Sequence, residues 1–502
     1  MIAKIYSTAV VGLDCALVEV EADISHGFPN FTIVGLPDTA IQEAKERVRS
    51  AIKNIGLLFP EFRVIINLAP ADIKKEGPIF DLPIALAILI ADGQLSAACK
   101  DALFIGELSL QGELRPVAGA LAAAITAKEK KMRTLYVPKE NAQEAALISE
   151  IEIIPLDNLQ QLLDHLNKKK IITAYKTKPV ALLNHNIKQD LDMAYIKGQE
   201  FAKRALEIVA AGGHNVLMSG PPGSGKTILS KTMMSILPDM THEEMLETTR
   251  LYSVAGLLTK DQPLINFRPF RAPHHSASAP SIVGGGRVPK PGEISLAHRG
   301  VLFLDEFAEF PRTVLEALRQ PLEEGVIHVS RVHGSCCFPA RFIFVASMNP
   351  CPCGYKGDEH KECICTPFQV INYQKKISGP ILDRIDLHIK VPRIKFSKLA
   401  QKELAEPSKD IKARIEQARK IQRQRFKDAE IMVNAEMSNK EVEKHCQLDT
   451  ASLNLIKAAM NKLNLSPRGY FRILKLARTI ADLGQSENIK SEHVAEAIQY
   501  RE

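Results

Sequence analysis

The chain has no tryptophan, and aromatic residues make up only 6% of its 502 positions. A platform of stacked aromatic rings for nucleic-acid bases is therefore not expected. No apolar run approaches the roughly 20 residues that cross a bilayer. The longest, Leu82 to Ala91, falls far short. Met1-Ile2-Ala3-Lys4 is followed by no long apolar core, so neither a secretory leader nor membrane contact is expected, and the chain reads as cytoplasmic. Cysteine is scarce and uneven: nine residues, most of them between Cys336 and Cys365. In a reducing compartment such clustering points to a metal rather than to disulfides. Internal repeats and low-complexity tracts are absent. What remains is ordinary globular composition, 45% hydrophobic and 25% charged, with a net charge of +7 that permits a polyanionic partner.

The fold class reads as α/β. Residues 1–170 alternate strand-like and helix-like stretches. Phe62 to Leu68, Leu135 to Pro138 and Ile151 to Leu156 read as strands, and Asp38 is placed to cap a helix running through Ala44 and Val48 to Ile52. A basic linker is expected over 171–189, beginning just after Lys168-Lys169-Lys170. A second α/β domain spans 190–395, and helical periodicity dominates 396–502.

The second domain carries the chemistry. Gly220-Pro221-Pro222-Gly223-Ser224-Gly225-Lys226-Thr227 fits the phosphate-loop pattern G-x-x-x-x-G-K-[ST], between an apolar strand at Asn215–Ser219 and a helical pattern at Thr227–Leu237. Glycines let backbone N–H groups close around phosphate oxygens at a helix start. Lys226 is placed to neutralise the outer phosphates of ATP, and Thr227 to bind magnesium. Val301 to Leu304 is an apolar strand ending in Asp305, a second magnesium contact, and Glu306, which would polarise the attacking water. Arg341 to Ser347 forms a further buried strand, which delivers Asn349 to a position for orienting that water. Arg384 and Arg468 are candidates for stabilising charge on the transferred phosphoryl group.

The order of these motifs resembles an AAA+ ATPase. Ile196-Lys197-Gly198-Gln199, Ala211-Gly212-Gly213-His214-Asn215, Arg271-Ala272-Pro273-His274-His275 and Ala477 to Leu483 narrow the resemblance to the ComM/YifB family of magnesium-chelatase-like AAA+ proteins. The resemblance runs the length of the chain. It implies an AAA+ core with a helical lid, Asn349 as sensor 1, Arg384 as a finger acting on a neighbouring subunit, and Arg468 as sensor 2. A finger acting in trans implies a ring, for this family a homohexamer. Many relatives have alanine before the sensor arginine, whereas Pro467 stands here; proline is tolerated at a helix start.

Cys351, Cys353, Cys363 and Cys365 form two C-x-C pairs. In extended chain, residues i and i+2 face the same side, so two opposed pairs can surround a tetrahedral zinc ion. The intervening Gly354, Gly357 and Asp358 allow the chain to reverse, and His360 is a substitute ligand. The position of the cluster between Asn349 and Arg384 suggests a clip that holds Arg384 toward a neighbour.

Lys75 to Asp81 and Gly112 to Gly119 resemble the proteolytic domain of Lon, which uses a Ser–Lys dyad. The resemblance puts Ile79 at the serine position and Leu121 at the lysine position. Neither side chain can serve, so the expectation is a Lon-like fold without peptidase activity.

Ring motors contact their polymer through pore loops. Arg287 and Lys290 lie in a flexible stretch, and Arg331 lies in a hairpin-like stretch that resembles the pore hairpin of minichromosome-maintenance helicases. All three are candidates for tracking DNA phosphates. The resemblance implies a DNA helicase that drives branch migration of single-stranded and branched DNA in natural transformation and recombination. The competing reading is a chelatase-type ATPase that remodels a protein partner without unwinding DNA.

Overall fold

The computed structural model describes residues 2–96, 99–176, 191–286, 289–331, 334–358, 360–394, 403–463 and 465–501, with Arg331 described by its backbone alone. Most of the expected linker, and Arg287, lie outside the described residues.

The amino-terminal sheet is mixed. Its strands are β1 (Ile2–Val11), β2 (Asp14–Ser25), β3 (Asn30–Val34), β4 (Arg63–Ala69) and β5 (Ala102–Phe104). After a short hairpin of β6 (Glu107–Leu108) and β7 (Leu114–Arg115) come β8 (Thr134–Pro138) and β9 (Glu152–Leu156). The spatial order is β3-β4-β2-β1-β5-β8-β9. Helices Thr39–Asn54, Asp81–Ala91 and Ala120–Glu129 bury its apolar residues. Asp38 caps the first of these, accepting the Ile41 amide at 2.9 Å, as its side-chain chemistry predicts.

The second sheet is parallel. β10 (Val216–Ser219) is followed by β11 (Phe270–Arg271), a hairpin of β12 (Gly284–Gly285) and β13 (Lys290–Pro291), and β14 (Val301–Leu304). A second hairpin, β15 (Val326–Arg331) with β16 (Gly334–Pro339), precedes β17 (Ile343–Met348) and β18 (Leu387–Lys390). The sheet order is β11-β14-β17-β10-β18. Every residue of β14 and β17 is buried, the expected signature of strands covered on both faces.

Helices Ser408–Arg425, Asn439–His445, Thr450–Leu463, Pro467–Leu483 and Ser491–Gln499 complete the chain. They share a core with β10, β17 and β18. A buried polar seam fixes this junction: His214 Nε2 lies 2.8 Å from Thr479 Oγ1, and Asn215 N donates to Asp386 at 2.9 Å. Burial favours the protonated Asp386 carboxyl. Arg472, His214 and the Asn215 amide outweigh it and keep the group ionised.

The amino-terminal sheet contacts the second through helix His242–Ala255. Arg250 Nε donates to the Leu13 carbonyl at 3.1 Å, Gly119 N donates to the Ser253 carbonyl at 3.1 Å, and Leu246 packs into the amino-terminal core.

Candidate active site and cysteine cluster

Parallel strands bring their carboxyl ends to one edge, where loops collect polar residues. β10 runs into Gly220, β14 into Asp305 and β17 into Asn349. The phosphate loop turns through Gly223 and Gly225 at φ +76° and +94°, values that a side chain would oppose. Lys226 Nζ donates to the Gly220 and Pro221 carbonyls at 2.7 and 2.9 Å and lies 3.4 Å from Asn349 Oδ1. Burial lowers its pKa, the direction expected for a cation waiting on an anionic ligand. Thr227 Oγ1 donates to Asp305 at 2.8 Å, and Ser347 donates to the other oxygen of the same carboxylate. A hydroxyl beside a carboxylate suits magnesium bound to a nucleotide, with oxygen donors only. Glu306 stands next to this pair at φ +53°, and His275 Nδ1 lies 3.3 Å from its carboxylate.

The fold thus gathers Lys226, Thr227, Asp305, Glu306 and Asn349. Arg384 and Arg468 sit elsewhere. Asn215, at the opposite end of β10, donates from its side chain to the Arg384 carbonyl at 3.4 Å. A strand of this length spans about 13 Å, so Arg384 occupies the edge away from its own phosphate loop. Its Nε donates to Glu323 at 3.1 Å, and Arg468 Nη2 donates to the other Glu323 oxygen at 2.7 Å. Hydrogen bonding from Arg384, reinforced by both positive charges, holds Glu323 below the usual carboxylate range. One carboxylate therefore tethers both arginines.

The four clustered thiols have Sγ atoms within 4.8 Å of one another. Cys351 Sγ lies 3.4 Å from Cys353 Sγ and 3.6 Å from Cys363 Sγ. Tetrahedral zinc with bonds of about 2.3 Å separates its sulfurs by roughly 3.8 Å, so the set fits zinc. The amides of Lys356 and Cys353 point at Cys351 Sγ and Cys365 Sγ, each at 3.4 Å, and so support thiolates. His360 is exposed and outside the set. The clip expected to hold Arg384 is corrected by this geometry. The cluster abuts the phosphate-loop edge, while Arg384 is tied at the opposite edge.

In the amino-terminal region Ile79 and Leu121 are buried in the core. Lys75 is buried and donates to the Pro70 carbonyl. Lys74 pairs with Glu76, and Arg115 with Glu107.

The two expected pore stretches form adjacent hairpins: a Cβ built on Gly284 would meet Val329 at 3.2 Å. Lys290 is exposed, and Arg331 ends β15. The basic stripe over Lys412 to Lys427 is largely committed within the chain. Arg414 pairs with Glu207 and Glu406, Arg425 with Asp482, Lys412 with Asp239 and Arg423 with Glu416. Arg419 is buried against the Ala210 carbonyl.

Sequence reasoning missed Glu323 as the shared tether and His275 as the partner of Glu306. The Arg271-to-His275 string was visible, but nothing in it says which carboxylate its last histidine meets. No described helix is long and apolar enough to cross a membrane.

Comparison with known proteins agrees with this architecture. "Magnesium chelatase, subunit ChlI" matches residues 192–399, "Subunit ChlI of Mg-chelatase" residues 20–141, and "Magnesium chelatase, subunit ChlI C-terminal" residues 405–501. Competence protein ComM of Haemophilus influenzae is 45% identical over 505 residues, covering 100% of this chain and 97% of the relative. YifB of Escherichia coli is 43% identical over 499 residues, covering 99% and 96%. A Lon protease of Chloroflexus aurantiacus is 28% identical over 160 residues, covering 29% of this chain and 19% of that protein. The chain therefore belongs to the ComM/YifB family of magnesium-chelatase-like AAA+ ATPases, with a Lon-like amino-terminal region.

Proposed function

We propose that the chain is a ring-forming, ATP-hydrolysing DNA motor that unwinds or branch-migrates DNA in the cytoplasm during transformation and recombination. One observation carries the ring. Lys226, Thr227, Asp305, Glu306 and Asn349 meet at one edge of the sheet, whereas Arg384 and Arg468 are tethered at the other. A hydrolytic site with its arginines in place then needs a second copy, whose Arg384 and Arg468 leave Glu323 for the γ-phosphate. Within the site, Lys226 and the loop amides bind phosphate. Thr227 and Asp305 hold magnesium, which neutralises phosphate charge. Asn349 orients water, and Glu306 takes its proton.

DNA as the polymer is supported by the paired hairpins that carry Lys290 and Arg331, by the net charge of +7, and by the competence designation of the Haemophilus relative. In the amino-terminal region the dyad positions are apolar, so its role is scaffolding or DNA contact.

The test is ATP-driven strand displacement on forked and three-stranded DNA, comparing the wild-type chain with Glu306→Gln. Displacement by wild type alone supports the motor. ATP turnover indifferent to DNA, with no displacement, overturns it in favour of a protein-remodelling ring.

A further inference from the structure

Between the end of β17 at Met348 and the helix that starts at Pro367, the described residues form neither helix nor strand. Without a backbone ladder, the position of this segment depends on side-chain ties. The cysteine set ties the two arms of the segment together, and the segment meets the phosphate-loop side at two points.

The first is Gly354, just after Cys353, which lies against the phosphate loop. A Cβ built there would sit 2.7 Å from Pro222 Cδ and 3.7 Å from Asn349 Cγ, and the residue adopts φ +84°. The second is Asp358, whose side chain is only 2% exposed. One of its oxygens accepts the His360 amide at 2.8 Å, and the other lies 3.1 Å from Arg393 Nε. The Arg393 guanidinium also sits over the Tyr355 ring, 5.4 Å from its centroid, with Lys361 at 4.2 Å. Arg393 follows Pro392, whose carbonyl accepts Gln199 Nε2 at 2.5 Å.

These ties enclose a cavity of about 520 Å3, lined by Gly198, Gln199, Pro221, Gly357, Asp358 and Arg393 among others. Its size suits a nucleoside. It opens beside Pro221 of the phosphate loop, so a nucleotide with phosphates on Lys226 has its base and ribose on this side. The cysteine segment is one wall of that cavity.

We propose that metal held by Cys351, Cys353, Cys363 and Cys365 shapes this wall, so that metal occupancy and purine-nucleotide affinity are linked. The inference rests on the ATPase reading above. Metal fixes the loop, the loop sets Gly354 against Pro222 and Asp358 against Arg393, and the cavity is pre-formed for nucleotide. Linkage is reciprocal, so bound nucleotide must also retain the metal.

The experiment uses the full chain with zinc as metal and a fluorescent ADP analogue with magnesium as nucleotide. Three quantities are read: zinc content, the dissociation constant of the analogue, and the dissociation constant of zinc, measured at equilibrium by competition with a chromogenic chelator, with and without ADP. Cys363→Ser is expected to lose zinc and to weaken the analogue by about tenfold. Asp358→Asn, which leaves the ligands intact, is expected to keep zinc and weaken binding by about threefold to tenfold. Saturating ADP is expected to tighten zinc binding by the wild-type chain by a similar factor. This last measurement holds even if Cys363→Ser fails to fold. A chain that takes up no zinc, or zinc affinity indifferent to ADP together with unchanged nucleotide affinity in Asp358→Asn, overturns the proposal. Failure of the zinc-loaded wild-type chain to bind the analogue at all would instead overturn the ATPase reading on which it stands.

Discussion

Two lysines, Lys226 half-buried and Lys75 buried, mark the contrast between the two α/β regions. Lys226 lies at the carboxyl edge of a parallel sheet, held by two loop carbonyls and within reach of Asn349. Lys75 is buried in the amino-terminal region, tied to the Pro70 carbonyl, with Ile79 and Leu121 in the core at the positions that the resemblance to Lon assigns to its dyad. Partial removal from water is common to both. What separates them is company: two hydroxyls, two carboxylates and an amide gather at the first site, while Ile79 and Leu121 near the second offer no polar group. A buried cation is therefore no sign of catalysis until the groups it would work with are also present.

The sharpest way to break this comparison is to remove the first lysine. Lys226→Ala is expected to abolish nucleotide binding, seen as loss of fluorescent-nucleotide titration. Glu306→Gln is expected to bind ATP while its turnover falls by about 10²-fold or more, measured by phosphate release. Normal turnover in Glu306→Gln would remove that residue from the mechanism.

Next in size is an attempt to convert the second region into the first. Ile79→Ser with Leu121→Lys is expected to show no peptide cleavage, because a buried lysine without a shaped cleft is a cost and not a catalyst. Leu121→Ala alone is expected to destabilise by about 3 kcal/mol, measured by chemical unfolding, because the side chain is fully buried.

Acids of the two regions also shift in opposite directions. Burial raises Asp81 to about 6, only partly offset by Arg47, and burial raises Glu144 to about 7. Their folded values exceed their unfolded ones, so the stability they add is present below about pH 4 and fades as pH rises through 6 and 7. Glu247, on helix His242–Ala255 in the ATPase region, goes the other way. Burial opposes ionisation, but His298 and Arg299 outweigh it and bring the group to about 2. Its contribution is present above the ordinary carboxylate range and is lost as pH falls toward 2. Hydrogen exchange across a pH series is therefore expected to show the ATPase region loosening before the amino-terminal one on acidification. The reverse order would refute this account.

The smallest expected effect is at the hairpins. Lys290→Ala should weaken DNA binding by about 1 kcal/mol and lower the salt slope by about one unit, without changing DNA-free ATP turnover.

Much of the site was legible because its chemistry is local. A phosphate loop is eight consecutive residues, and its lysine and threonine follow from the pattern itself. Asp305, Glu306 and Asn349 were readable because each ends an apolar run, and apolar runs of that length become strands. The strand bounds shifted by a residue or so, as at Arg63–Ala69, where a turn competes with the ladder. The α/β class followed from alternating patterns in both halves. The role of the cysteine segment was misjudged. Its position in the chain between Asn349 and Arg384 suggested a link to the arginine, yet the segment folds back on the phosphate loop.

The sequence by itself thus determined the phosphate loop, the apolar residues at Ile79 and Leu121, and the clustering of four thiols in two C-x-C pairs. Each depends on which side chains exist and how they are spaced over a few residues. Only the tertiary structure decided that Glu323 gathers Arg384 and Arg468 at the edge opposite Lys226, that His275 faces Glu306, and that Asp358 meets Arg393. These are meetings between residues from roughly 30 to 145 positions apart. They are set by strand order and by helix packing against the sheet, which no local pattern encodes.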